Sequence, residues 1–122
     1  MYLRAAIAVL LGLAGAGSAQ AQAVDGAALF RQRCAACHST ASDVRTPKPG
    51  PNLGGVVGRK AGGQQGFRYS PALAKSGIVW SPKTLDSYLS KPAGLVPGTS
   101  MMIATPKADQ RAALIGYLAQ LK

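Results

Sequence analysis

The chain has 122 residues, with 14 lysines and arginines against four acids and one histidine, for a net charge of +10 at neutral pH. That length fits one small domain, whose side chains alone bury a limited core. The bases are scattered from residue 31 to residue 122 rather than gathered into one stripe, which argues against a nucleic-acid-binding protein.

Residues 1–4 carry one positive charge, residues 5–17 are almost wholly apolar, and residues 18–23 are small and polar. This is the layout of a secretory signal peptide. An uncleaved anchor would need roughly 20 apolar residues, and this shorter run is followed at once by two overlapping A-x-A sites, Ala19-Gln20-Ala21 and Ala21-Gln22-Ala23. Residues 1–23 are therefore read as a leader, cleaved after Ala21 or Ala23, and residues 24–122 as the mature domain, with no stable membrane insertion after cleavage. Of the bases only Arg4 leaves with the leader; 13 bases and all four acids (Asp25, Asp43, Asp86, Asp109) remain, a charge of +9. Such a surface favours acidic partners. No second hydrophobic run, repeat or linker divides the rest.

The mature chain reads as short helices in Gly- and Pro-rich loops. Asp25 can cap a helix carrying Leu29, Phe30 and Arg33 up to Cys34. Ser70-Pro71 offers a cap and first-turn proline for a short helix that Gly77 would end. Ser81-Pro82 repeats the device for a helix with Leu85, Tyr88 and Leu89 on one face, stopped by Pro92. Thr105-Pro106 starts the last helix, whose Leu114, Tyr117, Leu118 and Leu121 form an amphipathic stripe. No run alternates like a strand. Residues 40–66 are too long and irregular for a compact domain unless the loops wrap something the chain does not encode.

Cys34-Ala35-Ala36-Cys37-His38 names that object, since C-x-x-C-H is the attachment motif of c-type haem. Two thiols at this spacing can add to the two vinyl groups, and the adjacent imidazole can reach the iron from the same face. A redox dithiol wants a βαβ context and a zinc site wants further Cys or His ligands; neither is present. A plain disulfide stays open in an exported chain. With His38 the only histidine, the sixth iron ligand is methionine, lysine, water or nothing. Met101 and Met102 follow Val96-Pro97-Gly98-Thr99-Ser100, a loop able to present a thioether from outside a helix.

Around this motif the chain carries, in order, Gly26-x-x-x-Phe30, Gly50-Pro51-Asn52-Leu53, Gly58-Arg59-Lys60, Gly66-Phe67-Arg68-Tyr69, Ile78-Val79-Trp80, Tyr88-Leu89, Pro97-Gly98-Thr99-x-Met101 and Leu114-Ile115-x-Tyr117-Leu118. In these segments it resembles the class I cytochromes c of the mitochondrial and bacterial c2 type, over nearly all its mature length. The resemblance implies an all-α fold of short helices and long loops wrapped around one haem c, held by thioethers from Cys34 and Cys37 with its iron between His38 and Met101. It implies that the Pro51 carbonyl accepts the imidazole proton, that Arg59, Tyr69 and Trp80 stand around the propionates, that Tyr88 and Thr99 neighbour the axial sulfur, and that Gly26 lets the first helix cross the last opposite Tyr117.

The function implied is that of a monomeric periplasmic one-electron carrier between redox partners of a respiratory or photosynthetic chain. The resemblance implies no enzymatic activity. Histidine and methionine ligation in an apolar pocket favours Fe(II) and a high potential. A haem subunit, or dedicated electron acceptor, of a periplasmic dehydrogenase would use the same ligands, whereas a peroxidase or sensor would need an open iron position that a bound Met101 forbids. Departures from the family pattern bear on partners. Ala93, Gly94 and Ser100 stand where relatives often carry lysine, which leaves Arg31, Arg33, Lys48, Lys91 and Lys107 as a basic rim and offers no lysine from residues 93–100 to replace the methionine at high pH. Leu73 stands where relatives often have Asn, and Pro47-Lys48-Pro49 reshapes one loop.

Overall fold

The computed structural model describes Gly17, residues 23–40 and residues 47–122; the rest of the expected leader and residues 41–46 lie outside the described residues. Among the described residues five helices follow one another: α1 Gly26–Arg33, α2 Pro71–Ala74, α3 Pro82–Ser90, α4 Pro92–Leu95 and α5 Ala108–Gln120. The only strand-like pairing among the described residues is an isolated antiparallel bridge between Lys60 and Val79. The fold is all-α. None of these helices is long and apolar enough to cross a membrane.

Local chemistry starts the first three helices. The Asp25 carboxylate accepts from the Ala28 amide at 3.1 Å, satisfying one of the amides the first turn of α1 leaves free. Ser70 does the same for α2 through Leu73, and the left-handed Gly77 (φ +71°) follows its end. Ser81 and Thr84 bond each other's backbone reciprocally at the start of α3, a capping box in which threonine takes the place of the usual Glu or Gln.

The chain departs from its local signals twice. Pro92 does end α3, but it is also the first residue of the one-turn helix α4, which the sequence pattern does not announce. The last helix begins at Ala108 rather than at Thr105-Pro106. Thr105 is buried and its amide donates to the Leu89 carbonyl at the end of α3, while Arg111 takes the Thr105 and Pro106 carbonyls, so neither residue is released to start a helical turn. Lys107 then caps α5 with no side-chain bond.

The two terminal helices pack against each other, and α5 also packs on α3. A side chain at Gly26 would lie 2.7 Å from the Ala113 carbonyl carbon and 3.1 Å from Tyr117 Cβ, so the crossing requires glycine. One turn on, the Phe30 and Tyr117 rings meet with centroids 5.3 Å apart. Leu114, Ile115 and Leu118 of α5 are buried with Leu85, Tyr88 and Leu89 of α3; Tyr117 is half-buried, and Leu121 caps the helix from outside it. Ile115 joins the buried face although it falls off the expected stripe.

Candidate haem site

Packed interiors leave few voids larger than a water molecule, yet this small fold lines a partly open cavity of about 530 Å³. Its walls come from α1, the loops on either side of α2, α3, the 99–105 segment and α5. All ten residues singled out in the sequence line it: Cys34, Cys37, His38, Pro51, Arg59, Tyr69, Trp80, Tyr88, Thr99 and Met101. Phe30, Leu85, Leu89, Leu114 and Leu118 supply much of the apolar remainder.

The attachment segment follows from how α1 ends. The Cys34 amide caps the helix on the Phe30 carbonyl at 2.8 Å, and Cys37 and His38 then turn back on the Cys34 carbonyl at 3.1 and 2.9 Å. Neither cysteine is paired in a disulfide. Burial pushes the Cys34 thiol up and Cys37 adds to that, while Arg33 pulls it down only in part. A redox dithiol works by the opposite device, a depressed thiol.

His38 Nδ1 lies 2.7 Å from the Pro51 carbonyl. A carbonyl can only accept, so Nδ1 carries the proton and Nε2 keeps its lone pair. Burial, the larger influence, holds the imidazole below its ordinary value against the opposing Pro51 bond, and the Lys48 charge lowers it further. This is the neutral, single-tautomer form in which histidine ligates metals. Gly50, whose amide donates to the Cys37 carbonyl at 2.8 Å, makes the approach possible. A Cβ on it would sit 2.7 Å from His38 Nδ1.

The Met101 segment leaves α4 through left-handed Gly98 (φ +90°) and a turn from the Thr99 amide to the Val96 carbonyl, 3.0 Å. The buried Thr99 hydroxyl pairs with the Tyr88 hydroxyl at 2.6 Å. Burial pushes the Tyr88 phenol up and this bond pulls it partly back. Met101 packs against the core whereas Met102 is 76% exposed, which separates two methionines that are alike in sequence.

Elsewhere on the wall, Arg59 donates to the Asn52 carbonyl at 2.8 Å and the Gly54 carbonyl at 3.2 Å. Tyr69 accepts from the Gln64 amide at 3.3 Å, leaving its own proton to donate. Trp80 is buried against Tyr88, ring centroids 5.0 Å apart. Sequence reasoning missed several contributors. Gly50 had a signal in its place directly before Pro51. Arg33, read as a rim charge, and Arg68, read only as part of a family segment, also line the cavity, as do Met102, weighed as a ligand, and Ile103, which no pattern announces; both of these are exposed. Lys48 donates to the Ala35 carbonyl at 2.7 Å, so this rim lysine is fastened to the attachment segment.

The sequence model of the family described as Cytochrome c matches residues 23–122. The chain belongs to the cytochrome c family. It is 46% identical over 94 residues to cytochrome c type-1 of Ascaris suum, covering 76% of this chain and 82% of that one. It is 45% identical over 101 residues to cytochrome c2 of Rhodopila globiformis, covering 81% and 92%. It is 49% identical over 94 residues to cytochrome c of Theileria parva, covering 76% and 80%. Relatives named cytochrome c and cytochrome c2 thus both match, and the chain is a class I cytochrome c.

Cytochromes c are electron carriers, not enzymes, and work with redox partners through covalently attached haem c and its iron. The cavity fits that group. Two cysteine sulfurs outside any disulfide, an imidazole with one nitrogen committed and one available, and a core-packed thioether share an apolar space too large for a fold of this size to leave unfilled.

Proposed function

We propose that this chain is a periplasmic, monomeric one-electron shuttle, exported by residues 1–23 with cleavage after Ala21 or Ala23, whose mature domain, residues 24–122, docks on redox proteins with acidic surfaces. Cys34 and Cys37 would hold the haem through their sulfurs. His38 Nε2 and Met101 Sδ would bind its iron, and Arg59, Tyr69 and Trp80 would stand beside its propionates. The bound group supplies a one-electron Fe(III)/Fe(II) couple. The single observation that carries this reading is the 2.7 Å bond from His38 Nδ1 to Pro51, which leaves Nε2 as the only lone pair the ring can offer.

The residues around the ligands explain a carrier. The Pro51 carbonyl orients the imidazole and raises its basicity. The apolar wall of Phe30, Leu85, Leu114 and Leu118 excludes water and disfavours the extra charge of the oxidised state. Exposed Met102 and Ile103 lie at the edge of the cavity with Arg33 and Arg68, an apolar patch beside positive charge that suits brief docking on an acidic surface.

Absorption spectra of the oxidised and reduced mature protein, extended into the near infrared, test the proposal beside Met101→Ala. Covalent haem with a sulfur-to-iron band that the substitution abolishes is the expected result. Covalent haem without that band would point to an open-site enzyme or sensor, and a protein without covalent haem would end the proposal.

A further inference from the structure

Met101 lies in a segment fastened on both sides to consecutive residues of α3. Two residues before it, Thr99 bonds the Tyr88 hydroxyl at 2.6 Å. Four residues after it, the Thr105 amide donates to the Leu89 carbonyl, also at 2.6 Å. Between these fastenings Ser100, Met102, Ile103 and Ala104 are exposed. Little burial therefore holds the segment down, and its fit depends on its two ends.

The downstream end is itself braced. Arg111 donates through Nη1 to the Thr105 carbonyl at 3.1 Å and the Pro106 carbonyl at 2.7 Å, and through Nε to Asp86 Oδ1 of α3 at 2.7 Å. Its side chain is only 13% exposed. Four residues into α5, a cation sits at the positive end of the helix dipole, which disfavours it. The three acceptors compensate. They belong to α3 and to the segment that runs from Met101 into α5, and the rigid guanidinium fork reaches all three at once, as a single ammonium cannot.

We propose that Arg111, braced by Asp86, is a positioning residue for Met101: it locks the downstream end of the Met101 segment between α3 and α5 and so sets how readily the thioether leaves the iron. This rests on Met101 being the axial ligand. Opening of the segment must break the Thr105–Leu89 bond and tear two carbonyls from a charged donor. Loss of the brace then frees the segment while α1, α3 and α5 stay packed.

The test uses the haem-loaded protein and the variants Asp86→Asn, Arg111→Lys and Arg111→Gln. Each is heated while the near-infrared sulfur-to-iron band and the far-ultraviolet helix signal are followed together, and exchange of the Thr105 amide is measured by NMR. The band should vanish before the helix signal in both Arg111 variants, with Thr105 exchange about tenfold faster and exchange at Leu118 unchanged. Asp86→Asn should shift both readouts the same way by less, and together with Arg111→Lys it carries the test if Arg111→Gln does not fold. Band and helix signal lost together in every variant, with Thr105 exchange as in the parent, would overturn the brace alone. A parent protein with no such band would overturn the ligation reading first, and the brace with it.

Discussion

Replacing Gly50 by alanine isolates the contact that sets the state of His38. Gly50 is not among the glycines with positive φ, so the backbone accepts alanine and space is the only obstacle. The new methyl would lie 2.7 Å from His38 Nδ1 and 2.9 Å from the Cys37 carbonyl, closer than carbon atoms come to either. The carbonyl is held by the Gly50 amide itself, so the ring must move away from Pro51. Overpacking of this kind costs about 1–3 kcal/mol, and the lost hydrogen bond adds about 1 kcal/mol. The reduced freedom of the unfolded chain returns about 0.4–1 kcal/mol. A net loss of about 1–3.5 kcal/mol is expected in urea unfolding of the haem-loaded protein, with a shifted NMR signal for the His38 Nδ1 proton. Gly58→Ala is the contrasting control. Its φ of +91° strains any side chain, but no atom lies within 4 Å, so it should lose about 1 kcal/mol and leave the His38 proton where it was. An unshifted His38 proton in Gly50→Ala, with a loss no larger than in Gly58→Ala, would refute the steric reasoning.

Two further outcomes follow from the same geometry. Burial raises Tyr88 above the ordinary phenol value of 10.0, so the fold favours its protonated form. That contribution is complete below pH 10.0 and is lost as pH climbs through the raised folded value. Thr99→Val removes the one influence that lowers it, so the alkaline limit should move up in a phenolate absorbance titration with Tyr88→Phe as the blank; a limit that moves down would contradict the 2.6 Å pairing. At the entry of α1, Asp25→Ala should lower stability by about 1 kcal/mol, seen as a shifted urea midpoint at constant slope, while Asp25→Asn retains most of it.

What could be read in advance was local. Ser70 and Ser81 reach only three residues along the chain, so their helix starts were visible as short patterns. The ten cavity residues were found because Cys34-Ala35-Ala36-Cys37-His38 names a cofactor and ordered segments resemble one family. Local chemistry failed where a distant partner outweighs it. Thr105-Pro106 looks like a helix start, yet the Leu89 carbonyl, 16 positions back, and Arg111 hold it out of α5. One turn of helix at Pro92–Leu95 is too short for periodicity to register. Charges read as a basic rim also found partners through folding: Lys48 bonds Ala35, and Arg33 bonds Gln110 at 3.1 Å, whereas Arg31, Lys91 and Lys107 remain exposed.

The crossing at Gly26 turns most of the chain into a closed ring with one clasp. From Phe30 to Tyr117 the backbone leaves the joint and returns to it, and everything between, most of the cavity wall included, is an arc of that ring. Lengthening such an arc is a logarithmic matter, with each doubling of a flexible loop costing only about 0.6 kcal/mol. Thickening the clasp is not, because a single methyl at Gly26 meets the Ala113 backbone head-on. Tolerance to change is therefore distributed by topology: generous along the circumference, where loop length costs little, and almost nil at the point where the ends meet.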